Sequence, residues 1–355
     1  MKGIILHGGH GTRLRPLTHT GPKQLLPIAN KPMSEYCLDS IKEAGITDIA
    51  IIIGGLGANK VKEYYGNGEK FGVNVTYIEQ DKPRGIAHAI RLCKEFVDSE
   101  KFLVFLGDNI IQKSISEFVD HFKKSNFDST VLLCEVSNPS QFGIAEVRDG
   151  KIIKIIEKPK NPTSNLAVTG IYLLTPKIFD VIDELKPSWR NELEITDALD
   201  ILLKQNDNTS FELITDYWKD TGTPQDIIHA NGEIIKKIDP YFYGKKENEV
   251  KIDGKVIVGK NSKIESKVSI IGPVIIGENC NINSGVIIGP NTSIGDDSII
   301  VRGNIENSII MKKCKIDSNA KIRDSIISNN SEIIEDNQAN NKKIFLLGEG
   351  SKISL

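Results

Sequence analysis

The pattern of apolar residues divides the chain into two parts. From residue 1 to about residue 235, short apolar runs alternate with stretches whose apolar residues recur at helical spacing. This alternation indicates an α/β domain with a mostly parallel sheet covered by helices. The clearest predicted strands span residues 3–6, 49–53, 73–78 and 102–106, and the clearest helices span residues 34–44 and 87–97.

After about residue 240 the helical spacing disappears, and aliphatic residues recur every six positions. This period is typical of coils of three short strands, each placing one side chain inward, that stack around a shared core. We therefore predict a parallel β-helix over residues 250–338; a set of unrelated short strands is the alternative. The period slips by four between Ile300 and Ile310. The positions in register are Ile252, Val258, Ile264, Ile270, Ile276, Ile282, Ile288, Ile294, Ile300, Ile310, Ile316, Ile322, Ser328 and Ile334.

A glycine-rich segment follows the first predicted strand. Gly8, Gly9 and Gly11 leave backbone amides uncovered, so phosphate oxygens can approach them. Arg13 and Lys23 supply two cations nearby. The segment lacks the ending of a Walker A loop, and a leucine replaces the last glycine of a dinucleotide fingerprint. It is therefore equally compatible with phosphate binding and with a plain strand-to-helix turn.

Two aspartates are candidates for a metal site. Asp108 ends a predicted strand, and Asp220 precedes a later helix. Mg²⁺ typically takes one or two carboxylates and completes its shell with water and substrate phosphate oxygens. An aspartate in either position can also be a helix cap or a turn residue. Lys158, before a proline, is a candidate for binding a monophosphate or simply a solvated surface residue.

Composition and charge exclude several classes of function. The formal net charge is -2, so there is no net basic field to hold nucleic acid. Five scattered cysteines without a Cys-x-x-Cys pair indicate reduced thiols in a cytoplasmic protein. No apolar run approaches the length of a membrane-spanning helix, so we expect no membrane partner. Six histidines show no metal-ligand spacing.

Taken together, several segments resemble the sugar nucleotidyltransferases, and more closely the long-form glucose-1-phosphate thymidylyltransferases. They occur in the family's order over residues 1 to about 235, and the six-residue repeats match the left-handed β-helix that the long form adds. The matching segments are GGHGTRLRP at 8–16, PKQLLP at 22–27, residues 80–89, LGDN at 106–109, FG at 142–143, EKP at 157–159, AVTGIY at 167–172, ELEITD at 192–197 and residues 218–223.

The resemblance implies a role for each matching residue. Arg13 and Lys23 would neutralise the departing pyrophosphate, Asp108 and Asp220 would share a catalytic Mg²⁺, and Lys158 would bind the sugar phosphate. The nucleotide would contact Leu6, Gly8, Gly9, Gly11, Thr12, Arg13, Gln24, Gln80 and Gly85, with Gln24, Gln80 and Gly85 reading the base. The sugar phosphate would contact Asn109, Gly143, Glu157, Lys158 and Val168.

The resemblance also implies an architecture and a reaction. Residues 1–240 would form a Rossmann-like catalytic domain with helices on both faces of its sheet. Residues 241–355 would form a β-helix, an oligomerising or regulatory appendage that packs against the first domain or against other subunits of a homo-oligomer. The substrates would be a nucleoside triphosphate and a sugar-1-phosphate, with dTTP and glucose-1-phosphate as the expected pair. UTP-dependent transfer, acetyltransferase activity in the β-helix and a non-catalytic regulatory subunit are the alternatives. His7 departs from the family, which usually carries a small residue there.

Overall fold

The computed structural model describes residues 1–9, 11–206, 208–335 and 350. The chain forms two compact units. The first, which we call the α/β unit, comprises Met1–Gly11, Thr18–Leu25 and Met33–Asp220; the second, the β-helix unit, comprises Thr12–Leu17, Leu26–Pro32 and Thr221–Leu355. The division at residue 240 stays a prediction from the sequence, and most of the chain beyond residue 335 lies outside the described residues. In the described part of the chain, no helix is both long and apolar enough to cross a membrane.

The secondary structure up to residue 237 alternates strands with helices, as the hydrophobic pattern predicts. The strands are β1 Lys2–Leu6, β2 Pro27–Ile28, β3 Lys31–Pro32, β4 Asp48–Ile53, β5 Asn74–Glu79, β6 Phe102–Leu106, β7 Asn109–Ile111, β8 Ser129–Glu135, β9 Gly143–Arg148, β10 Lys151–Glu157, β11 Leu166–Leu174, β12 Thr209–Ile214 and β13 Trp218–Asp220. The helices are α1 Met33–Glu43, α2 Ala58–Tyr65, α3 Ile86–Arg91, α4 Lys94–Val97, α5 Ser116–Lys124, α6 Lys177–Glu184, α7 Ile195–Asn206 and α8 Pro224–Lys237.

The central sheet of the α/β unit has the order β10-β9-β11-β6-β1-β4-β5, with β8 also paired to β11 and β12 to β8. The four strands predicted from the sequence form the parallel segment β6-β1-β4-β5, and β12 is also parallel to β8. The strand β11 then runs antiparallel to β6, β8 and β9, so the sheet is mixed. The carboxyl ends of β1 and β6 lie side by side, with Leu6 opposite Leu106.

Both faces of this sheet are covered by helices, which confirms the predicted α/β class. Side chains of β1 alternate between two apolar clusters, because successive residues of a strand point to opposite faces. Ile4 packs with residues of α3, α6 and α7, whereas Ile5 packs with residues of α1, α2 and α5. The helix predicted over residues 87–97 is in fact two short helices, α3 and α4, which are interrupted at Leu92 and Cys93.

The β-helix unit is built from short parallel strands that pair with strands one coil further along the chain. Ile252 pairs with Ile270, and Ile264 pairs with Ile282. The fold is the predicted left-handed parallel β-helix. Its strands are β14 Lys245–Lys246, β15 Lys251–Asp253, β16 Val256–Val258, β17 Lys263–Ile264, β18 Ser269–Ile271, β19 Val274–Ile276, β20 Asn281–Ile282, β21 Ile287–Ile288, β22 Thr292–Ile294, β23 Ile299–Glu306, β24 Ile309–Ile310, β25 Lys315–Arg323, β26 Ile326–Ile327 and β27 Glu332–Ile334.

The repeat differs from the predicted register in its last coils. Ile305 is fully buried between Ile300 and Ile310, so the apparent slip consists of two five-residue steps. Near the end, Ile327 and Ile333 pack against the core, whereas Ile334 is 52% exposed. The placement of Ser328 and Ile334 in register was therefore wrong by one residue. A coil can lose a residue at a corner and keep its strands paired, which a strict period of six misses.

Candidate functional site

The glycine segment begins at the carboxyl end of β1, where Leu6 is buried. Gly9 and Gly11 have φ angles of 92° and 58°, a conformation that glycine adopts without steric cost. A Cβ atom at Gly11 would lie 2.9 Å from Cγ2 of Thr18, so this position also lacks room for a side chain. Open space surrounds Gly9, where a Cβ atom would meet nothing within 4 Å. The turn thus needs glycine geometrically and leaves backbone accessible. His10 lies outside the described residues.

Two buried glutamines adjoin this segment. Gln24 is 1% exposed and donates from Nε2 to the carbonyl oxygen of Gly8 at 2.9 Å, while its Oε1 has no hydrogen-bond partner. Gln80 donates from Nε2 to Nδ1 of His88 at 2.9 Å, and its Oε1 lies 3.7 Å from a Cβ built on Gly8. Gly85 has a φ of 105° at the start of α3. Gly8, Gln24 and Gln80, predicted to contact the nucleotide, therefore lie together.

Asp108 follows β6 and forms an ion pair with Lys23. The side chains are 13% and 14% exposed, respectively. Asn109 donates from Nδ2 to Oδ1 of Asp108 at 3.1 Å. Burial opposes ionisation of Asp108, but the Lys23 ammonium and the hydrogen bond from Asn109 outweigh it, so the pKa of Asp108 lies below its ordinary value. The carboxylate is therefore charged and held in a fixed position.

Strand pairing places Asp220 opposite Asn109, the residue that follows Asp108 in the chain. The strand β13 runs antiparallel to β7, with Asp220 opposite Asn109 and Trp218 opposite Ile111. Directly opposed residues of an antiparallel pair have Cα atoms about 4.5–5.5 Å apart. Asp220 and Asn109, separated by more than a hundred positions in the sequence, are thus paired directly after Asp108.

A second cluster surrounds Glu157 at the end of β10. Thr196 donates from Oγ1 to Oε2 of Glu157 at 3.0 Å, and Nζ of Lys158 lies 3.5 Å from Oε1. A Cβ atom on Gly143 would lie 2.5 Å from Thr196 and 3.2 Å from Glu157. Burial raises the pKa of Glu157, with the Lys158 ammonium acting in the opposite direction. Gly143, Glu157 and Lys158, which were predicted to contact one sugar phosphate, therefore form one group.

Three predicted contact residues remain, Val168, Thr12 and Arg13. Val168 is 7% exposed and lies in β11 opposite Leu133 of β8. Thr12 and Arg13 belong to the β-helix unit, where the guanidinium of Arg13 packs against Gly222 at 3.0–3.2 Å from a Cβ built there. Their predicted contact with a triphosphate stays a prediction.

Sequence reasoning did not assign roles to three residues that support these groups. The guanidinium of Arg190 lies 3.5 Å from Oε1 of Glu157 and 3.4 Å from Glu194. Thr196 binds Glu157, and Trp218 donates from Nε1 to Oδ1 of Asn109 at 2.8 Å. Thr196 and Trp218 lie in segments that carry the family resemblance, so that resemblance was the available signal. Arg190 stands before two glutamates, and its contacts depend on a turn that the pattern does not predict.

His7 is 2% exposed, and neither ring nitrogen has a hydrogen-bond partner. Its ring packs edge-on against Tyr65, with centroids 5.9 Å apart. Burial lowers the pKa of His7 to about 3, against the opposing effect of the Asp108 charge, so the imidazole is neutral. Leaving buried polar atoms without partners costs about 1–3 kcal/mol each. We therefore infer that the buried side chain of His7, next to the glycine segment in the chain, destabilises the fold.

The arrangement combines a phosphate-accessible turn, the Asp108–Lys23 ion pair with Asp220 on the strand that pairs with the next residue, and a carboxylate-lysine group at a second strand end. Such a set can bind two phosphate-bearing molecules and a divalent cation. It contains no side chain arranged as a nucleophile with an adjacent base among the residues named above.

Comparison with known sequences agrees with this chemistry. The sequence model of the Nucleotidyl transferase family matches residues 2–237, and that of the GMPPB C-terminal domain matches residues 270–354. The chain is 44% identical over 357 residues to the low-salt glycan biosynthesis nucleotidyltransferase Agl11 of Haloferax volcanii, covering 100% of both chains. It is 38% identical to a glucose-1-phosphate thymidylyltransferase of Streptomyces antibioticus, covering 100% of this chain and 99% of the relative.

A third relative and two solved structures extend the comparison. The bifunctional protein GlmU of Methanococcus maripaludis is 41% identical over 93% of this chain and 78% of the relative. A Bacillus anthracis protein crystallised with sucrose is 43% identical with a TM-score of 0.64, over 68% of this chain and 98% of that one. A UDP-glucose pyrophosphorylase bound to UDP-glucose is 30% identical with a TM-score of 0.60, over 67% and 99%. The chain therefore belongs to the nucleotidyl transferase family, among its sugar-1-phosphate nucleotidyltransferases.

Proposed function

We propose that this protein joins dTTP and glucose-1-phosphate to give dTDP-glucose and pyrophosphate, with Mg²⁺ as its cofactor. A phosphate oxygen of the sugar-1-phosphate attacks the α-phosphorus of the triphosphate, and the bond to pyrophosphate breaks. A phosphate monoester is already nucleophilic, so no general base is required. Catalysis then depends on alignment and charge neutralisation, and orientation of two bound reactants can supply about 7–11 kcal/mol.

The observation that supports this proposal is the strand pairing that sets Asp220 opposite Asn109, the residue after Asp108. Two carboxylates at one strand end fit Mg²⁺, which takes one or two from a protein and fills its shell with water and phosphate oxygens. Within residues 1–9, 11–206 and 208–335, no cluster of three or more His, Cys, Asp or Glu side chains offers a metal a cage of protein ligands. Bound Mg²⁺ would withdraw charge from the α-phosphorus.

Lys23 supports the triphosphate side of the proposal. Its ammonium is paired with Asp108 and largely buried, so it sits at the metal carboxylate with little solvent to screen it. A triphosphate bound along Gly8, Gly9 and Gly11 would bring its negative charge to this lysine. We assign Lys23, with Arg13, to neutralisation of the departing pyrophosphate.

The group around Glu157 supports the sugar side. A carboxylate can accept hydrogen bonds from two sugar hydroxyls, and Lys158 beside it can bind the phosphate of the same molecule. Thr196 and Arg190 fix the orientation of Glu157. We assign Glu157, Gly143, Asn109 and Val168 to the sugar and Lys158 to its phosphate.

The choice of dTTP rests on two relatives of full length that are named glucose-1-phosphate thymidylyltransferases, at 38% and 34% identity. Thymine differs from uracil by one methyl group, and a pocket gains about 1–3 kcal/mol from such a group. UTP-dependent transfer is the second candidate, because the UDP-glucose pyrophosphorylase shares this fold at 30% identity.

Acetyl transfer by the β-helix is the candidate that GlmU relatives suggest. The chain spans 78% of the matching GlmU protein, and its sequence has no histidine after His229 to act as a base in the β-helix. We therefore propose no acetyltransferase activity. Consumption of acetyl-CoA with glucosamine-1-phosphate would contradict this.

Pyrophosphate release tests the proposal. The purified protein is assayed with dTTP, UTP, ATP, CTP and GTP, each against glucose-1-phosphate and N-acetylglucosamine-1-phosphate, with Mg²⁺ and with EDTA. We expect the highest kcat/KM for dTTP with glucose-1-phosphate and loss of turnover in EDTA. A higher kcat/KM for UTP would correct the nucleotide assignment. No pyrophosphate from any pair would overturn the proposed function.

A further inference from the structure

A short hairpin of the β-helix unit lies, along the chain, between two segments of the α/β unit. The strands β2 and β3 pair antiparallel, with Ile28 opposite Lys31, so Ala29 and Asn30 form the turn. Both turn residues have positive φ angles, 48° for Ala29 and 64° for Asn30. Asparagine tolerates this left-handed conformation, but alanine rarely adopts it. Such backbone strain persists only where surrounding contacts hold it in place.

Contacts inside the β-helix unit hold both turn residues. The backbone N–H of Ala29 donates to Oδ1 of Asn231 on α8 at 2.8 Å, in a buried position. Nδ2 of Asn30 donates to the carbonyl oxygen of Ile294 on β22 at 2.7 Å. Oδ1 of Asn231 also accepts from Oγ of Ser293 at 2.9 Å. The turn is therefore bound to α8 and to a coil of the β-helix.

Asn231 is fully buried and uses both ends of its amide. Its Nδ2 donates to the carbonyl oxygen of Asn291 at 3.1 Å. The next residue, Gly232, approaches so closely that a Cβ atom there would lie 3.1 Å from Asn291. A buried polar group with its bonds made is rigid, and removing a partner is costly. Helix, hairpin and β22 thus form one fixed assembly.

The covalent chain connects this assembly to residues of the candidate site. Leu26–Pro32 belongs to the β-helix unit, but the residues on either side, Thr18–Leu25 and Met33 onward, belong to the α/β unit. Lys23 and Gln24 lie within four residues of the hairpin. Each has a specific contact of its own, Lys23 with Asp108 and Gln24 with Gly8. Movement of the hairpin would therefore be transmitted directly to them.

We propose that the β-helix is a positioning element for the triphosphate, which acts through the bonds of Asn231 and Ile294 to the Ala29–Asn30 turn and so fixes Lys23 and Gln24. This inference rests on the proposed function, because it assigns those two residues to the triphosphate. It gives the β-helix a role within each chain that does not require a partner subunit.

Two variants of Asn30 test the connection. Asn30→Gly keeps the left-handed turn and removes the bond to Ile294, and Asn30→Asp keeps the turn but places a carboxylate against that carbonyl oxygen. Asn279→Gly is the matched control, because Asn279 also has a positive φ of 56° and donates to Asp297 at 3.1 Å elsewhere in the β-helix unit. None of the three variants imposes a new backbone conformation, and Asn279→Gly removes two side-chain bonds, since Oδ1 of Asn279 also accepts from Asn261 at 3.1 Å.

Steady-state kinetics provide the first measurement. We expect Asn30→Gly to raise the KM for the triphosphate about fivefold to tenfold, Asn30→Asp more, and the KM for the sugar-1-phosphate by less than about twofold, because small displacements of binding groups have large effects. Asn279→Gly should leave both KM values within about twofold of wild type. Equal effects on both substrates, or the same triphosphate effect in Asn279→Gly, would overturn the proposal.

Hydrogen exchange provides a measurement that needs no turnover. We expect backbone amides of residues 18–26 to exchange faster in Asn30→Gly than in wild type, and at the wild-type rate in Asn279→Gly. Unchanged exchange there would overturn the positioning role even if the enzyme is active. If the wild-type protein releases no pyrophosphate but Asn30→Gly still exchanges faster than wild type at residues 18–26, the structural connection stands and the proposed function is rejected.

Discussion

The glycine segment and its neighbours differ from the β-helix core in how each is assembled. The candidate site brings together residues from distant parts of the chain and largely buries the ion pair between Lys23 and Asp108. It leaves both ring nitrogens of His7 without a hydrogen-bond partner. The β-helix core repeats one local pattern, with buried aliphatic residues such as Ile270 and Ile288 stacked coil on coil. One region depends on specific charges, the other on apolar volume.

This difference indicates which mutations should change activity and which should change stability. Removing a charge from the site changes few packing contacts but removes a ligand or counter-ion. Removing a methyl group from the β-helix core creates a cavity but leaves the chemistry untouched. We therefore expect mutations in the two regions to affect different measurements.

The largest effect should come from the metal carboxylates. Asp108→Asn and Asp220→Asn each remove one negative charge while keeping the side-chain size, and we expect kcat/KM to fall at least about 10³-fold, or about 4 kcal/mol of transition-state stabilisation. The thermal midpoint should change little in Asp220→Asn and should fall in Asp108→Asn, because the largely buried Lys23 ammonium loses its partner. Pyrophosphate release and thermal unfolding measure the two quantities.

Asp98→Asn is the control for these variants. Asp98 is exposed and has a positive φ of 54°, which asparagine also tolerates. It should keep wild-type activity. Near-normal turnover by Asp108→Asn or Asp220→Asn would remove both residues from the proposed metal site.

An intermediate effect is expected in the β-helix core. Ile282 is fully buried, so Ile282→Ala should lower the free energy of unfolding by about 2–5 kcal/mol through lost burial and the cavity left behind. At a temperature where the variant is folded, the KM values should match wild type. Urea unfolding and steady-state kinetics test both statements.

A neighbouring pair of isoleucines tests the register of the last coil. Ile333 packs against the core, whereas Ile334 is 52% exposed. Ile333→Ala should therefore destabilise the protein more than Ile334→Ala. The opposite order would restore the strict six-residue register and contradict the structure.

The smallest effect concerns His7. Its pKa is about 3 in the folded protein against 6.5 as the ordinary value, so between these pH values the unfolded chain binds a proton that the folded chain does not. Its contribution to stability is complete above pH 6.5 and falls as the pH falls below it, by up to about 1.4 kcal/mol per pH unit.

Urea unfolding between pH 7 and pH 4.5 measures this dependence. His7→Ser should flatten the slope of the free energy of unfolding against pH, whatever its effect at pH 7. His229→Ser, at an exposed histidine, should keep the wild-type slope. Equal slopes in wild type and His7→Ser would show that His7 is not held neutral by burial.

The repeating parts of the fold were the most predictable from the sequence. The four parallel strands and most of the β-helix register follow from side-chain periodicity, which is a local property. The antiparallel strands around β11 were not predicted, nor was the break between α3 and α4, because pairing partners and packing decide them. The last coils differ from the predicted register because Ile305 follows Ile300, and Ile327 follows Ile322, by five residues, which a fixed period of six cannot represent.

The sequence by itself determined that the chain has an α/β part followed by a parallel β-helix, and it supplied the candidate phosphate and metal residues. Only the tertiary structure decided which of them meet. Asp220 pairs with Asn109 across two short strands, and Ala29 reaches Asn231 through a buried hydrogen bond. Periodicity reports how each segment buries its own side chains, whereas a contact between distant segments depends on the path of the whole chain.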